Sequence, residues 1–260
     1  MSYDCSNKGY TASVPSSYPS SSCGYSGSLE DKVSYSKVEA PSIETIVPQE
    51  PIRIEAYSAN SDYANTYLTN KYVPSNFIPN DFLNPMRPRQ KFIGASNEVI
   101  NYIKETFMHL TGEEFPDDIV ISVCNKKQMK KIHPGWHESI QGFAINRKDQ
   151  GKVNEIFVLN NELDKLMLII GHEIGHVMSM QLENPVEEEA KAFAFSLAWM
   201  DAIVKNNIAN LAGSININTK PANNGIHNAA FDFVAKYIKQ GKNALDVFKL
   251  LMNNKLKIGM

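Results

Sequence analysis

Residues 161–200 read NELDKLMLIIGHEIGHVMSMQLENPVEEEAKAFAFSLAWM, and this stretch decides the fold. Its first half is an apolar helical run, which predicts a buried helix from about Glu162 to Leu182. Asn161 is the expected N-cap, and Glu162 and Asp164 suit the positive end of the helix dipole. Glu183-Asn184-Pro185 then breaks the run, and a second helix is expected from Pro185 to about Lys205. Asn184 as N-cap, Pro185 at the first helical position and Glu187 three residues after the cap approach a capping box. Ala190, Phe193, Ala194, Phe195, Leu197, Ala198, Trp199 and Met200 leave the second helix little face for solvent, so both helices belong to one core.

Within the first helix stands His172-Glu173-Ile174-Gly175-His176. Side chains at i and i+4 leave a helix on the same face, so both imidazoles can reach one ion. Glu173, beside the first histidine, is the expected general base that takes a proton from water and later passes it on as an acid. Zinc is the expected metal, because HExxH offers two nitrogen ligands and leaves room for an activated water. Gly171 and Gly175 would each weaken a helix by about 1 kcal/mol relative to Ala, which points to close packing against a neighbour.

A catalytic zinc site takes a third protein ligand. Ser179 and Leu182 stand where an extended HExxHxxGxxH pattern would place Gly and His, so the ligand comes from elsewhere. Glu187, Glu188 and Glu189 are the candidates. Glu187 is the cap partner of Asn184 and, with Lys191 one turn on, falls on a polar stripe. Glu189 lies about two steps of 100° away, on the face of Ala192, Phe193, Ser196 and Met200. Counted from the break at about 1.5 Å per residue, Glu189 and His176 fall nearly level in an antiparallel pair. Glu189 is therefore the expected ligand and Glu188 the alternative. A carboxylate inside so apolar a helix needs a partner, and a zinc ion would be one.

HEIGH followed by Glu189-Ala190-Lys191-Ala192-Phe193-Ala194 resembles the gluzincin metallopeptidases, in particular the minimal ImmA/IrrE-type domains. The order helix, strand, hairpin and active-site helix resembles the N-terminal half of a thermolysin-like core. The resemblance covers roughly residues 94–205. It implies that Ile140 to Ile145 occupies the place of an edge strand that pairs with an extended peptide. The spacing from His176 to Glu189 is shorter than is usual in gluzincins, and no helix-turn-helix domain accompanies it.

Upstream of the motif, Val99, Ile100, Ile103, Phe107, Met108 and Leu110 predict a helix stopped by Gly112. Ile119 to Val123 reads as a strand, residues 125–132 as a short helix, and Ile140–Asn146 with Glu155–Leu159 as a hairpin around a polar turn. Two further helices are expected at 226–239 and 243–253. Residues 1–37 are rich in Ser and Tyr and poor in aliphatic residues, the composition of a disordered tail. Prolines at 41, 48, 51, 74, 79, 85 and 88 make 38–92 a linker or a wrap, leaving 93–260 as the domain.

The expected fold class is α+β: a small mixed sheet with an edge hairpin, packed on the HExxH helix, and a helical C-terminal half. A formal net charge of −2 gives no field favouring nucleic acid or an anionic membrane. Leu166 to Ile170, the longest aliphatic run, is too short to span a bilayer. Three scattered cysteines form no disulfide framework, and the N-terminus lacks a secretory pattern, so the cytoplasm is the expected compartment. The expected function is zinc-dependent hydrolysis of extended peptides, with His172, His176 and Glu189 as ligands and Glu173 as base. For the hydrogen-bond donor to a developing oxyanion, His137, His133, His227, Tyr102 and Tyr237 are candidates. His137 is preferred because it precedes the edge strand. The alternative is a zinc-binding regulatory or structural protein that cleaves nothing.

Overall fold

The computed structural model describes residues 77–217 and 225–258. The expected tail at 1–37, and residues 38–76 of the expected linker, lie outside the described residues. In chain order the elements are β1 (Phe92–Ile93), α1 (Ile100–Thr111), β2 (Ile119–Cys124), α2 (Lys126–Ile132), β3 (Gly142–Ile145) and β4 (Asn154–Leu159). They continue with β5 (Asn161–Glu162), α3 (Leu163–Val177), α4 (Pro185–Asn206), α5 (Ile226–Lys239) and α6 (Ala244–Met252). The fold class is α+β with a helical C-terminal half, as expected. No helix among the described residues is long and apolar enough to cross a membrane.

The larger sheet has the order β2-β4-β3, parallel between β2 and β4 and antiparallel in the β3–β4 hairpin. β4 is buried along its whole length because both faces are covered. Ile156 and Val158 face the main core with Ile121 and Val123, while Phe157 and Leu159 face a second cluster with Met129, Trp136 and Phe143. This is the period-two alternation of a central strand between two packed layers. β3 is one of the two outer strands, and α3 packs against it.

Local chemistry sets several boundaries. Gly112, with φ 77°, ends α1 in the left-handed region and donates its N–H to Met108 O at 2.8 Å. Asn125 and Gln128 form a reciprocal capping box at the start of α2. Residues 77–92 pack on the core: Phe77, Phe82 and Leu83 are buried. Arg87 clamps the start of α3, its Nε 2.5 Å from Asp164 Oδ2 and its Nη2 3.5 Å from Glu162 Oε2.

The pair α3 and α4 forms the centre. Gly171 lies against the Trp199 ring and Gly175 against Ala192 and Phe195, while His176 meets Glu188. Partners on α4 advance as α3 is read backwards, so the helices run antiparallel. The two glycines of the motif therefore face the neighbouring helix closely, as their spacing implied. Trp199 adds a hydrogen bond, its Nε1 donating to Met167 O at 3.0 Å.

Three local expectations are corrected. α3 is capped by Glu162, not Asn161: both residues pair with β1, and the extended backbone runs through Glu162 before the helix begins at Leu163. α3 also ends at Val177 rather than Leu182. Asn146 Nδ2 donates to His176 O at 2.8 Å and to Ser179 O at 2.6 Å, and Lys148 Nζ to Met178 O at 3.2 Å. Side chains thus take the last carbonyls, and the chain leaves the helix early. Finally, Glu187 does not complete a capping box with Asn184. Its Oε1 accepts from Ile258 N at 2.8 Å, while Asn184 accepts from Val186 N. Lys191 is not on a polar stripe with Glu187 but fully buried beside Glu188.

Candidate metal centre

His172 and His176 project from α3 one turn apart, and their ring centroids stand 5.0 Å apart at 86°. Glu189 enters from α4: its Oε2 lies 3.5 Å from His172 Nε2 and its Oε1 3.9 Å from His176 Nε2. Each of the three residues offers one ligand atom, all within 4.8 Å of one another, and all three are buried. A tetrahedral ion with bonds near 2 Å separates its ligand atoms by about 3.3 Å, so the group could hold a metal ion with small adjustments. His176 Nε2 supports this fit, because it is buried and makes no hydrogen bond. A buried polar atom left in that state costs free energy unless something else engages it.

The shell around the group is tightly specified. Phe77 stacks on His172 with centroids 4.5 Å apart, and Phe193 meets His172 edge-on at 5.1 Å. His176 Nδ1 lies 2.8 Å from Glu188 Oε1. A carboxylate only accepts, so the proton sits on Nδ1 and Nε2 is left for a ligand role. Glu188 Oε2 in turn accepts from Leu182 N at 2.8 Å and lies 2.9 Å from Lys191 Nζ. His227, at the start of α5, brings its Nδ1 to 3.8 Å from Glu189 Oε2.

Without a metal, the group's charges must be balanced by protons. Burial depresses the His176 imidazolium, but the hydrogen bond to Glu188 and the charges of Glu189 and Glu188 outweigh it and hold its pKa at about 9. Burial pushes His172 down to about 4, and so it stays neutral. Burial raises the Glu189 carboxyl, yet His172 and His176 more than offset this and bring it to about 2. Burial lifts Glu173 to about 7, in the range a general base near neutral pH requires.

Glu173 is almost wholly buried and its Oε2 makes no hydrogen bond. On its other side is β3: a Cβ added to Gly142 would stand 3.3 Å from Glu173 Oε1 and 2.5 Å from Ile169 Cγ2. Glycine at the first position of β3 is what lets the edge strand approach the motif's carboxylate. The arrangement is thus a nitrogen- and oxygen-lined metal-capable group, a buried carboxylate beside it, and an outer strand along its flank.

His172, Glu173, His176 and Glu189 are therefore brought together. His137 lies on the exposed loop before β3, with Ser139 N donating to its Nδ1 at 3.3 Å. His133 meets Phe143 edge-on, and Tyr237 packs against Phe233. Among the candidate donors it is His227 that borders the ligand group. The residues that sequence spacing did not single out are Phe77, Asn146 and Lys191. Phe77 sits far upstream in a proline-punctuated stretch, and Lys191 carried only the ordinary signal of a helix-surface lysine. The chain matches no protein-family description, no curated protein and no solved structure.

Proposed function

We propose that this protein is a zinc-dependent metallopeptidase of the gluzincin kind, with His172, His176 and Glu189 holding the ion. The observation that carries this reading is the buried Glu173 carboxylate, which lies next to the metal-capable group and against the edge strand β3. Zinc, when bound, supplies a Lewis acid and makes water a competent nucleophile at neutral pH. Glu173 takes the proton of the attacking water and delivers it to the departing amine nitrogen. β3 offers its outer backbone edge to an extended peptide, which fixes the scissile bond beside Glu173. His227 is the donor that serves the carbonyl oxygen as charge develops there, in place of His137. Glu188 orients His176. The reading includes a reducing, cytoplasmic setting, with Cys124 a free, buried thiol.

The test is metal analysis of the purified wild type beside Glu189→Ala and Glu188→Ala, together with hydrolysis of an extended-peptide library. Wild type is expected to bind one zinc per chain and to cleave. Glu189→Ala loses zinc, whereas Glu188→Ala keeps it at reduced affinity. Glu173→Gln keeps zinc and loses turnover, and His176→Ala loses both. Stoichiometric zinc with no cleavage of any peptide would favour a non-catalytic metal protein instead. Normal cleavage by the Glu173→Gln variant would rule out the mechanism.

A further inference from the structure

Lys191 has no exposed side-chain surface, although it lies two residues from Glu189 on a helix that ends in water. Burying an ammonium costs several kcal/mol unless close partners compensate it. Here four close partners act against that cost. Lys191 Nζ lies 2.9 Å from Glu188 Oε2 and donates to His176 O at 3.3 Å, Ser179 Oγ at 3.2 Å and Met180 O at 3.2 Å. The carbonyls come from the C-terminal end of α3 and the turn after it, where a helix presents its negative end. The carboxylate is the one whose other oxygen accepts from His176 Nδ1.

These contacts form one continuous path: α3's closing carbonyls, Lys191, Glu188, His176 Nδ1, and through the ring to Nε2. Lys191 touches His176 at both ends, at its backbone oxygen directly and at its imidazole through Glu188. A lysine needed only to fill space would not be held by four acceptors that all belong to the histidine, to its orienting carboxylate or to the turn just beyond it.

We propose that Lys191 is a positioning residue for the metal centre, paired with Glu188 so that the His176 imidazole stays fixed with Nε2 as its ligand atom. The proposal rests on the metal-binding reading above. It concerns a group that touches neither the ion nor a substrate, and whose effect passes through Glu188. Removing the ammonium alone leaves Glu188 a buried carboxylate without its cation, with Leu182 N the remaining donor to Oε2 and a weaker hold on its place beside His176. Removing both charges, with Gln at 188, leaves a neutral acceptor for His176 Nδ1 and no orphaned charge.

The test measures Zn2+ affinity by competition with a chromophoric chelator, and the visible absorption of the Co2+-loaded protein. The full chain is used as wild type, Lys191→Met, Glu188→Gln and the double variant. Lys191→Met is expected to bind Zn2+ about 10–100-fold more weakly and to shift the Co2+ bands, as loss of an outer partner of a ligating histidine does. The double variant is expected to recover most of that affinity and the wild-type Co2+ spectrum. The circular dichroism of metal-free Lys191→Met is expected to match wild type, and an unfolded spectrum overturns the proposal, which requires a folded variant with a weakened site. Unchanged or tighter binding by Lys191→Met, or a double variant no better than Lys191→Met, overturns the proposal. A wild type that binds no metal fails differently: it removes the metal reading itself, and this role with it.

Discussion

Gly175→Ala isolates the link between helix packing and the metal centre. A Cβ at 175 would lie 2.8 Å from Ala192 Cα, 3.0 Å from Ala192 O and 3.0 Å from Phe195 Cβ. Carbon atoms rest at about 3.5–4.0 Å, so α3 and α4 must part locally by roughly 1 Å. The first two contacts are backbone, which cannot rotate away. Overpacking of this kind costs about 1–3 kcal/mol, and replacing a mid-helix Gly by Ala returns about 1 kcal/mol. The net loss of stability is therefore small, at most about 2 kcal/mol, which moves the midpoint of a domain this size by about 4–8 °C or less. The metal centre responds more steeply. Glu189 sits on α4 less than one turn before Ala192, while both histidines ride on α3. Metal–ligand distances tolerate only about 0.2 Å, so parting the helices weakens Zn2+ binding out of proportion to the stability loss. The assay pairs thermal denaturation of the metal-free protein with Zn2+ competition, using Gly112→Ala as control. Gly112 has φ 77° and open space around its Cβ, so that variant loses roughly 1 kcal/mol from backbone strain with no path to the site. At least a tenfold loss of affinity is expected for Gly175→Ala and none for Gly112→Ala. Wild-type affinity in Gly175→Ala, or equal losses in both, would refute the argument that helix spacing sets the site.

Metal binding should strengthen with pH between 7 and 9. His176, held at about 9 in the metal-free protein, carries a proton there that the ion must displace, whereas His172 at about 4 and Glu189 at about 2 have already lost theirs. Calorimetry in buffers of different ionisation enthalpy would count the released protons, and zero release at pH 7.5 contradicts the assignment. The same raised pKa means that His176 stabilises the metal-free fold fully below about pH 6.5, a contribution lost as pH rises through about 9. Arg87→Met leaves the fully buried Asp164 carboxylate without its ion-pair partner and should cost about 3 kcal/mol, seen as a lowered urea midpoint. A change under 0.5 kcal/mol would show that the pair carries little. His227→Ala should lower kcat by about 100-fold or more with zinc retained, and His137→Ala should leave it within about twofold. Equal effects would undo the preference for His227.

The motif and the element types were legible in the chain because they depend on local physics. The i, i+4 spacing of His172 and His176 places both on one face of any helix that forms. Among the described residues, period-two and helical patterns located the three strands of the larger sheet and five of the six helices to within a residue or two, but not the short β1 and β5. Gly171 and Gly175 announced a close helix neighbour because nothing local favours glycine there. Glu189 was reachable by helix face, although the straight-helix count behind it assumed an α3 running on to Leu182.

What the sequence could not decide were contacts between residues far apart in the chain. α3 ends at Val177 because Asn146 and Lys148 arrive from beyond β3 to take its carbonyls, and no local propensity at 178–182 records their approach. Phe77 stacks on His172 across 95 positions, and His227 reaches Glu189 only once α5 has packed on α4. Lys191 reads as a surface lysine until folding encloses it, because its value depends on Glu188 and on three acceptors from another helix end. The sequence by itself determined which atoms can ligate a metal. The tertiary structure decided how firmly they are held, since desolvation and charge compensation arise only when distant groups share one enclosed volume.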